Sequence, residues 1–165
     1  MGFRKVEKLV GTSRILDRCR TRAVSRRKRE PVVAIRIVRL GSQRAEGEGL
    51  RIGTVRRPPR AVPKAAFASQ NWYDVWFPNL APSIETMKVA QNAKTPAQWT
   101  RFIKKYRAEM ATPENSHAIE LLASLSRQCN FSVGCYCENE AHCHRSILRQ
   151  LLADKGAKLE PYAIR

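Results

Sequence analysis

The sequence predicts an α/β fold: a single compact domain in which a small mixed or parallel sheet is flanked by helices, with a basic, disordered N-terminal extension. Three observations carry that prediction. Short β-branched runs end at glycine or proline, apolar stripes with a helical period separate them, and the chain closes on the order strand, turn, helix. A chain of 165 residues has the size of one ordinary domain and can bury a core without disulfide or metal staples. No internal repeat is visible.

Residues 1–32 form the extension. They hold 11 Lys/Arg against 3 Asp/Glu, whereas residues 33–165 hold 20 against 11, and no period of 2 or 3.6 is sustained. A nucleic-acid-binding arm and an organellar transit peptide are the functional expectations for such a stretch; the plain ones are a solvated tail or a mis-called start, with translation beginning near Val33. The domain then occupies residues 33–165.

Residues 33–40 are rich in β-branched side chains and stop at Gly41-Ser42, so they read as a first strand; residues 43–49 read as a polar loop. Residues 50–55 read as a second strand, halted by Arg56-Arg57-Pro58-Pro59-Arg60, where two prolines end ladder bonding and leave arginines on a stiff loop. Residues 72–77 are aromatic and extended in character. Ser83 is placed to cap a helix, and Thr95-Pro96-Ala97-Gln98 combines a capping box with proline at the first helical position. In the helix that follows, Trp99, Phe102, Ile103, Tyr106 and Met110 share the inward face, while Arg101, Lys104, Lys105 and Arg107 take the other. Thr112-Pro113 starts another helix, with Ala118, Leu121, Leu122 and Leu125 as its expected buried stripe up to Asn130. Residues 131–137 read as a strand, and a last helix from about His144 turns Ile147, Leu148, Leu151 and Leu152 inward, with Gly156 as its C-terminal cap.

The net charge of +17 favours polyanions through long-range, salt-sensitive attraction, whether nucleic acid, phosphorylated metabolites or an acidic partner. The longest apolar runs fall far short of the ~20 residues of a membrane span, so no membrane partner is expected. No apolar segment of roughly 7–15 residues marks a signal peptide near the N-terminus; a cytoplasmic location is the expectation. Five cysteines, an odd number, point to free thiols, metal ligands or a nucleophile rather than a disulfide framework.

The turn at residues 137–145 holds Cys137, Glu138, Glu140, His142, Cys143, His144 and Arg145. It follows a strand and opens a helix, where α/β sheets bind ligands and helix N-termini offer unpaired N–H groups. Alternation places Cys135 with Phe131 and Val133, which reads as core. Cys137 stands at the strand end, within reach of a cleft. Cys143, at a helix start beside Arg145, should have a lowered thiol pKa unless it packs beneath the helix. Cysteine-based phosphatase loops are a poor match, because their Cys-to-Arg gap is neither the seven residues between Cys137 and Arg145 nor the one after Cys143. Structural zinc sites space paired ligands by about two to four residues. The ligand candidates Cys135, Cys137, His142, Cys143 and His144 depart from that spacing, so no metal is assigned and the cofactor is unknown.

Arg57-Pro58-Pro59-Arg60, Asn79-Leu80-Ala81-Pro82-Ser83, the helix carrying Phe102, Tyr106 and Glu109, and Cys143-His144-Arg145 together resemble the DUF488 family (domain of unknown function 488). The likeness spans residues 34–152 and points to the branch that keeps the Cys-His-Arg triplet, which the related YeaO-like proteins lack. It implies a compact α/β fold and neither an activity nor a cofactor.

Three functions are open at this point. The first is binding or turnover of a small anionic or nucleotide-like ligand. Arg57, Arg60 and Arg145 would hold the anion, Cys143 or Cys137 would act as nucleophile and His144 as general base, with Ser83, Tyr106 and Glu109 completing the ligand-binding set. The second is a nucleic-acid-associated module using the basic surface, with Trp72, Tyr73 or Trp76 as stacking rings or, alternatively, as core. The third is a thiol redox or metal-binding protein.

Overall fold

The computed structural model describes residues 34–161; the expected extension over residues 1–32 lies outside them. Four strands, β1 (Ile35–Arg39), β2 (Leu50–Gly53), β3 (Val75–Trp76) and β4 (Phe131–Cys135), pair in parallel in the order β1-β4-β2-β3. The sheet is therefore parallel throughout. Central β4 is buried at every position, as a parallel strand covered on both faces must be. Ile37 and Ile52 flank its Val133 in register.

Four helices cover the sheet: α1 (Ile84–Gln91), α2 (Pro96–Met110), α3 (Pro113–Leu125) and α4 (His144–Asp154). Ser83 caps α1, its hydroxyl accepting from the Thr86 N–H at 3.1 Å. The capping box of α2 is complete between Thr95 and Gln98. Phe102, Tyr106 and Met110 of α2 meet Ile147, Leu148 and Leu152 of α4 and Val133 of β4 in the main core. Gly156 ends α4 with φ +74°, the left-handed turn that closes a helix most cheaply with glycine.

Helix α3 departs from expectation. It stops at Leu125, and Leu121 and Leu125 are 60% and 38% exposed, while Ile119, Leu122 and Ala123 face inward. The segment carries two overlapping apolar stripes, and its C-terminal cap selects between them. Ser126 is buried; its hydroxyl donates to the Ala123 carbonyl at 2.6 Å and accepts from the Lys158 N–H at 2.9 Å. The extended stretch at residues 72–77 contributes only the two-residue edge strand β3. Tyr73 is core, Trp72 half-buried, and Trp76 exposed with its indole N–H donating to the Val55 carbonyl.

The loop at residues 43–49 is tied inward by a buried ion pair. Arg51 Nε and Nη2 donate to the two Glu48 carboxylate oxygens at 2.6 and 2.9 Å, and Nη1 donates to the Ser42 and Asn71 carbonyls. Ser132 Oγ of β4 donates to Glu48 at 2.7 Å. Burial pushes the Glu48 carboxyl upward, but Arg51, Ser132 and the Ala45 N–H outweigh it and hold it below the ordinary carboxylate value. Such a buried pair is satisfied on both sides and fixes β2 against β4. Among the described residues no helix is long and apolar enough to cross a membrane.

Candidate functional site

All four strands point their carboxyl ends the same way, so the loops after β1, β2 and β4 converge on one edge of the sheet. There the turn after β4 doubles back and starts α4 with Cys143 as its N-cap. This fold-back brings three sulfur atoms together: Cys135, Cys137 and Cys143 Sγ lie within 4.8 Å of one another. The Cys135 and Cys137 sulfurs are 3.7 Å apart. Cys135 is buried, as alternation predicts, yet its thiol faces the other two and lines a cavity rather than hydrocarbon alone.

Cys143 differs from its two neighbours. Arg145 Nε donates to its sulfur at 3.4 Å, and His144 Nδ1 lies 3.7 Å from it. Its sulfur makes no capping bond to the helix backbone. Hydrogen bonds from Cys135 and Cys137 and the His144 ring outweigh burial and hold the Cys143 thiol well below its ordinary value. Cys135 is driven the other way by its bonds to Cys137 and Cys143 and by burial. Cys137 is drawn down by Cys135 but raised overall by Cys143 and burial. The three sulfurs are thus unlike: Cys143 is the one whose surroundings favour loss of its proton, while Cys135 and Cys137 are held toward the thiol form.

His144 is oriented by a residue the sequence reading passed over. Its Nε2 lies 2.9 Å from the Thr54 carbonyl oxygen, which can only accept, so Nε2 carries hydrogen and Nδ1 is turned to the Cys143 sulfur. Thr54 sits just past β2, and its own N–H and hydroxyl both donate to the Gly134 carbonyl. The strand end was legible; the pairing of Thr54 with a histidine 90 residues away was not.

A cavity of about 320 Å³ opens over this cluster, walled by Val55, Met87, Trp99, Phe102, Tyr136 and His142. Cys143 is only 2% exposed, so a ligand reaches it through this cavity. The Trp99 and His142 rings lie 5.5 Å apart, and His142 Nδ1 pairs with Asn139 rather than with a thiol.

The remaining candidates divide between this cavity and its surroundings. Arg145 is buried, and its Nη2 donates to the Cys137 carbonyl at 2.6 Å; its guanidinium serves the turn and the sulfur. Tyr106 is fully buried behind the cavity, its hydroxyl donating to the Leu80 carbonyl at 2.7 Å and its ring edge-on to His144. Glu109 accepts from the Ser83 N–H at 3.0 Å. Arg56, not singled out by its residue type, donates to the Ala81 and Pro82 carbonyls. Ser83, Tyr106, Glu109 and Arg56 therefore clamp the 79–83 segment that forms one cavity wall. Arg57 lies at the boundary of this cavity with a second hollow, and Arg60 lines only that second one. Arg145 lines neither of these two hollows but a third, with Arg39, Glu138 and Glu140. On the basic face of α2, Arg101, Lys104 and Lys105 are exposed, whereas Arg107 pairs with Gln150 and Asp154.

A family profile described as the active DUF488-N3 subclade matches residues 35–156. Neither a curated protein nor a solved structure matches the chain.

Proposed function

The chain belongs to the DUF488 family, in the subclade just described, and from that premise we propose that it binds and turns over a small planar ligand in the three-thiol cavity, with Cys143 as nucleophile. One observation carries the reading: the Cys143 sulfur, at the N-terminus of α4, lies between Arg145 Nε and His144 Nδ1 and borders the aromatic-walled cavity. The helix dipole and the guanidinium both favour a thiolate there. His144, fixed by Thr54, takes the thiol proton on Nδ1. The sulfur then forms a bond to an electrophilic carbon of the ligand. The group leaving that carbon departs with the electron pair and receives the Nδ1 proton; water then attacks the same carbon, giving a proton to Nδ1, and the C–S bond breaks with its electron pair returning to the Cys143 sulfur. Arg145 stabilises the sulfur rather than the ligand, and Cys137, exposed at the cavity edge, is the second thiol within reach.

The test is alkylation of the native protein at pH 6 with N-phenylmaleimide, a planar thiol-directed electrophile, followed by peptide mapping. Cys143 reacts ahead of the exposed Cys129. If Cys129 and Cys137 are modified while Cys143 stays intact, the nucleophile assignment fails.

A second reading rests on the sulfur geometry. Zn–S bonds of ~2.3 Å arranged tetrahedrally set sulfur–sulfur edges of roughly 3.8 Å, close to the Cys135–Cys137 separation of 3.7 Å. The three thiols would hold a soft ion with its fourth position facing the cavity. The nucleophile is favoured because the Arg145 Nε and the His144 ring both face the Cys143 sulfur, an asymmetry that a three-thiolate ion site does not need. Elemental analysis of protein purified without added metal separates the two, since one equivalent of bound zinc or copper supports the metal site.

A further inference from the structure

A second hollow, of about 660 Å³, opens at the same sheet edge on the other side of Tyr136. Its walls carry Arg39, Arg57 and Arg60 with Trp72, and no acidic residue is among those lining it. Two features show that the aromatic floor is built rather than incidental. Gly41, at φ +85°, lets the Trp72 ring lie where a side chain would otherwise stand, an added Cβ coming within 3.0 Å of it. The Trp72 and Tyr136 rings meet edge to face at 5.6 Å. The rim is equally constrained: Pro58 and Pro59 stiffen the loop, and the Tyr136 hydroxyl donates to the Arg57 carbonyl at 3.2 Å. Arg39 shares its charge with Glu138 at 3.1 Å. The side chains of Arg57 and Arg60 make no hydrogen bond or ion pair among the described residues. They are exposed cations held beside an aromatic wall, free to donate to an incoming anion.

Arg57 and Tyr136 border both hollows, so one ligand can occupy the two together. The thiol cavity is lined mainly by apolar and aromatic groups and suits a planar ring; the outer hollow is cationic and suits phosphate. We propose that the outer hollow is a phosphate subsite and that the joined site takes a nucleotide, its base in the thiol cavity and its phosphate on Arg57 and Arg60. This rests on the thiol cavity being a ligand site, and it deepens that reading by naming the class of ligand. The same chemistry is offered by a free mononucleotide and by one residue of a single strand.

The experiment titrates the full chain at low salt with the four common nucleoside 5′-monophosphates, the matching nucleosides and a mixed-sequence single-stranded oligonucleotide. The wild type is compared with the Arg57→Ala/Arg60→Ala double variant, whose unchanged thermal melt shows that it folds. At least one phosphorylated probe binds about tenfold or more tightly than its nucleoside, as charge-assisted hydrogen bonds to phosphate require, and the double variant loses that advantage. A mononucleotide that does so identifies the free ligand; the oligonucleotide alone identifies a strand. Equal affinity for nucleoside and monophosphate with no oligonucleotide effect, or an advantage that survives in the double variant, overturns the subsite. Failure of the thiol reading has a different signature, because the phosphate advantage would persist while Cys143 stays unreactive toward N-phenylmaleimide.

Discussion

Replacing Cys143 by serine removes the one sulfur of the cluster whose surroundings favour the thiolate, and the consequence appears in stability as a function of pH. In the unfolded chain this thiol titrates near its ordinary value of 9.0, whereas in the native protein Cys135, Cys137 and His144 lower it well below that. The group is an acid with a depressed folded pKa. Its stabilising contribution is therefore complete above about pH 9 and is lost as pH falls toward the folded value. Within that window the unfolded chain binds one more proton at this site than the native one, so stability rises by up to ~1.4 kcal/mol per pH unit. Between pH 6 and pH 8, below the ordinary thiol value, wild-type stability therefore rises with pH. Cys135 and Cys137 are shifted upward, so above about pH 9 their ionisation in the unfolded chain lowers stability again. Urea denaturation under reducing conditions at pH 6, 7 and 8 gives the wild-type slope. Cys143→Ser flattens it, and the difference cancels groups common to both proteins. Thiolate ultraviolet absorbance, which needs no access to the cavity, follows the same ionisation. Parallel stability curves, or a wild-type minus variant absorbance step centred near pH 9, would refute the assignment of the charge to Cys143.

Two further predictions concern the frame that holds the site. Glu48→Ala strands the fully buried Arg51 charge, since two of its five donors lose their carboxylate; urea melts should show a loss of about 3–5 kcal/mol, and a loss below ~1 kcal/mol would mean that water reaches Arg51. The Tyr73 hydroxyl is buried with no hydrogen bond of ordinary geometry among the described residues, the Tyr136 hydroxyl being its polar neighbour; an unmet hydroxyl costs about 1–3 kcal/mol, so Tyr73→Phe should keep or raise the melting temperature, and a clear drop would mean that the contact with Tyr136 is a true hydrogen bond.

The parts of the fold that could be read in the sequence are those fixed by local chemistry. Thr95, Pro96 and Gln98 state where α2 begins, and a single apolar stripe states which face it buries, with Phe102, Tyr106 and Met110 inside and Trp99 and Ile103 at its half-buried margins. Helix α3 offers two stripes, and only the burial of Ser126 against residue 158 selects one. The same limit applies to the site. Strand alternation put Cys135 inside, but its approach to Cys143 depends on a turn that reverses over residues 136–143. Arg57, Arg60 and Arg145 look alike as residue types. Two prolines leave the first two facing outward, while the Cys137 carbonyl and the Cys143 sulfur draw the third inward. Glu48 reads as loop polarity and Arg51 as a polar strand position, because neither partner signals burial until β4 supplies Ser132.

The division of labour among the arginines explains why a basic protein keeps one guanidinium out of water beside a sulfur. A thiolate in an apolar cavity is costly unless a cation or several donors face it, and a flexible surface arginine would meet that need only part of the time. Arg145 is tied by Nη2 to the Cys137 carbonyl while its Nε faces Cys143, so the donor is in place before any ligand arrives, which is the arrangement that stabilises developing charge most effectively. Arg57 and Arg60 have the opposite requirement. A group that captures an anion must be free to exchange water for it, and these two remain exposed and unbonded on a proline-stiffened loop. Tyr136 stands at the boundary of the two regimes, its ring bordering both hollows and its hydroxyl donating to the Arg57 carbonyl.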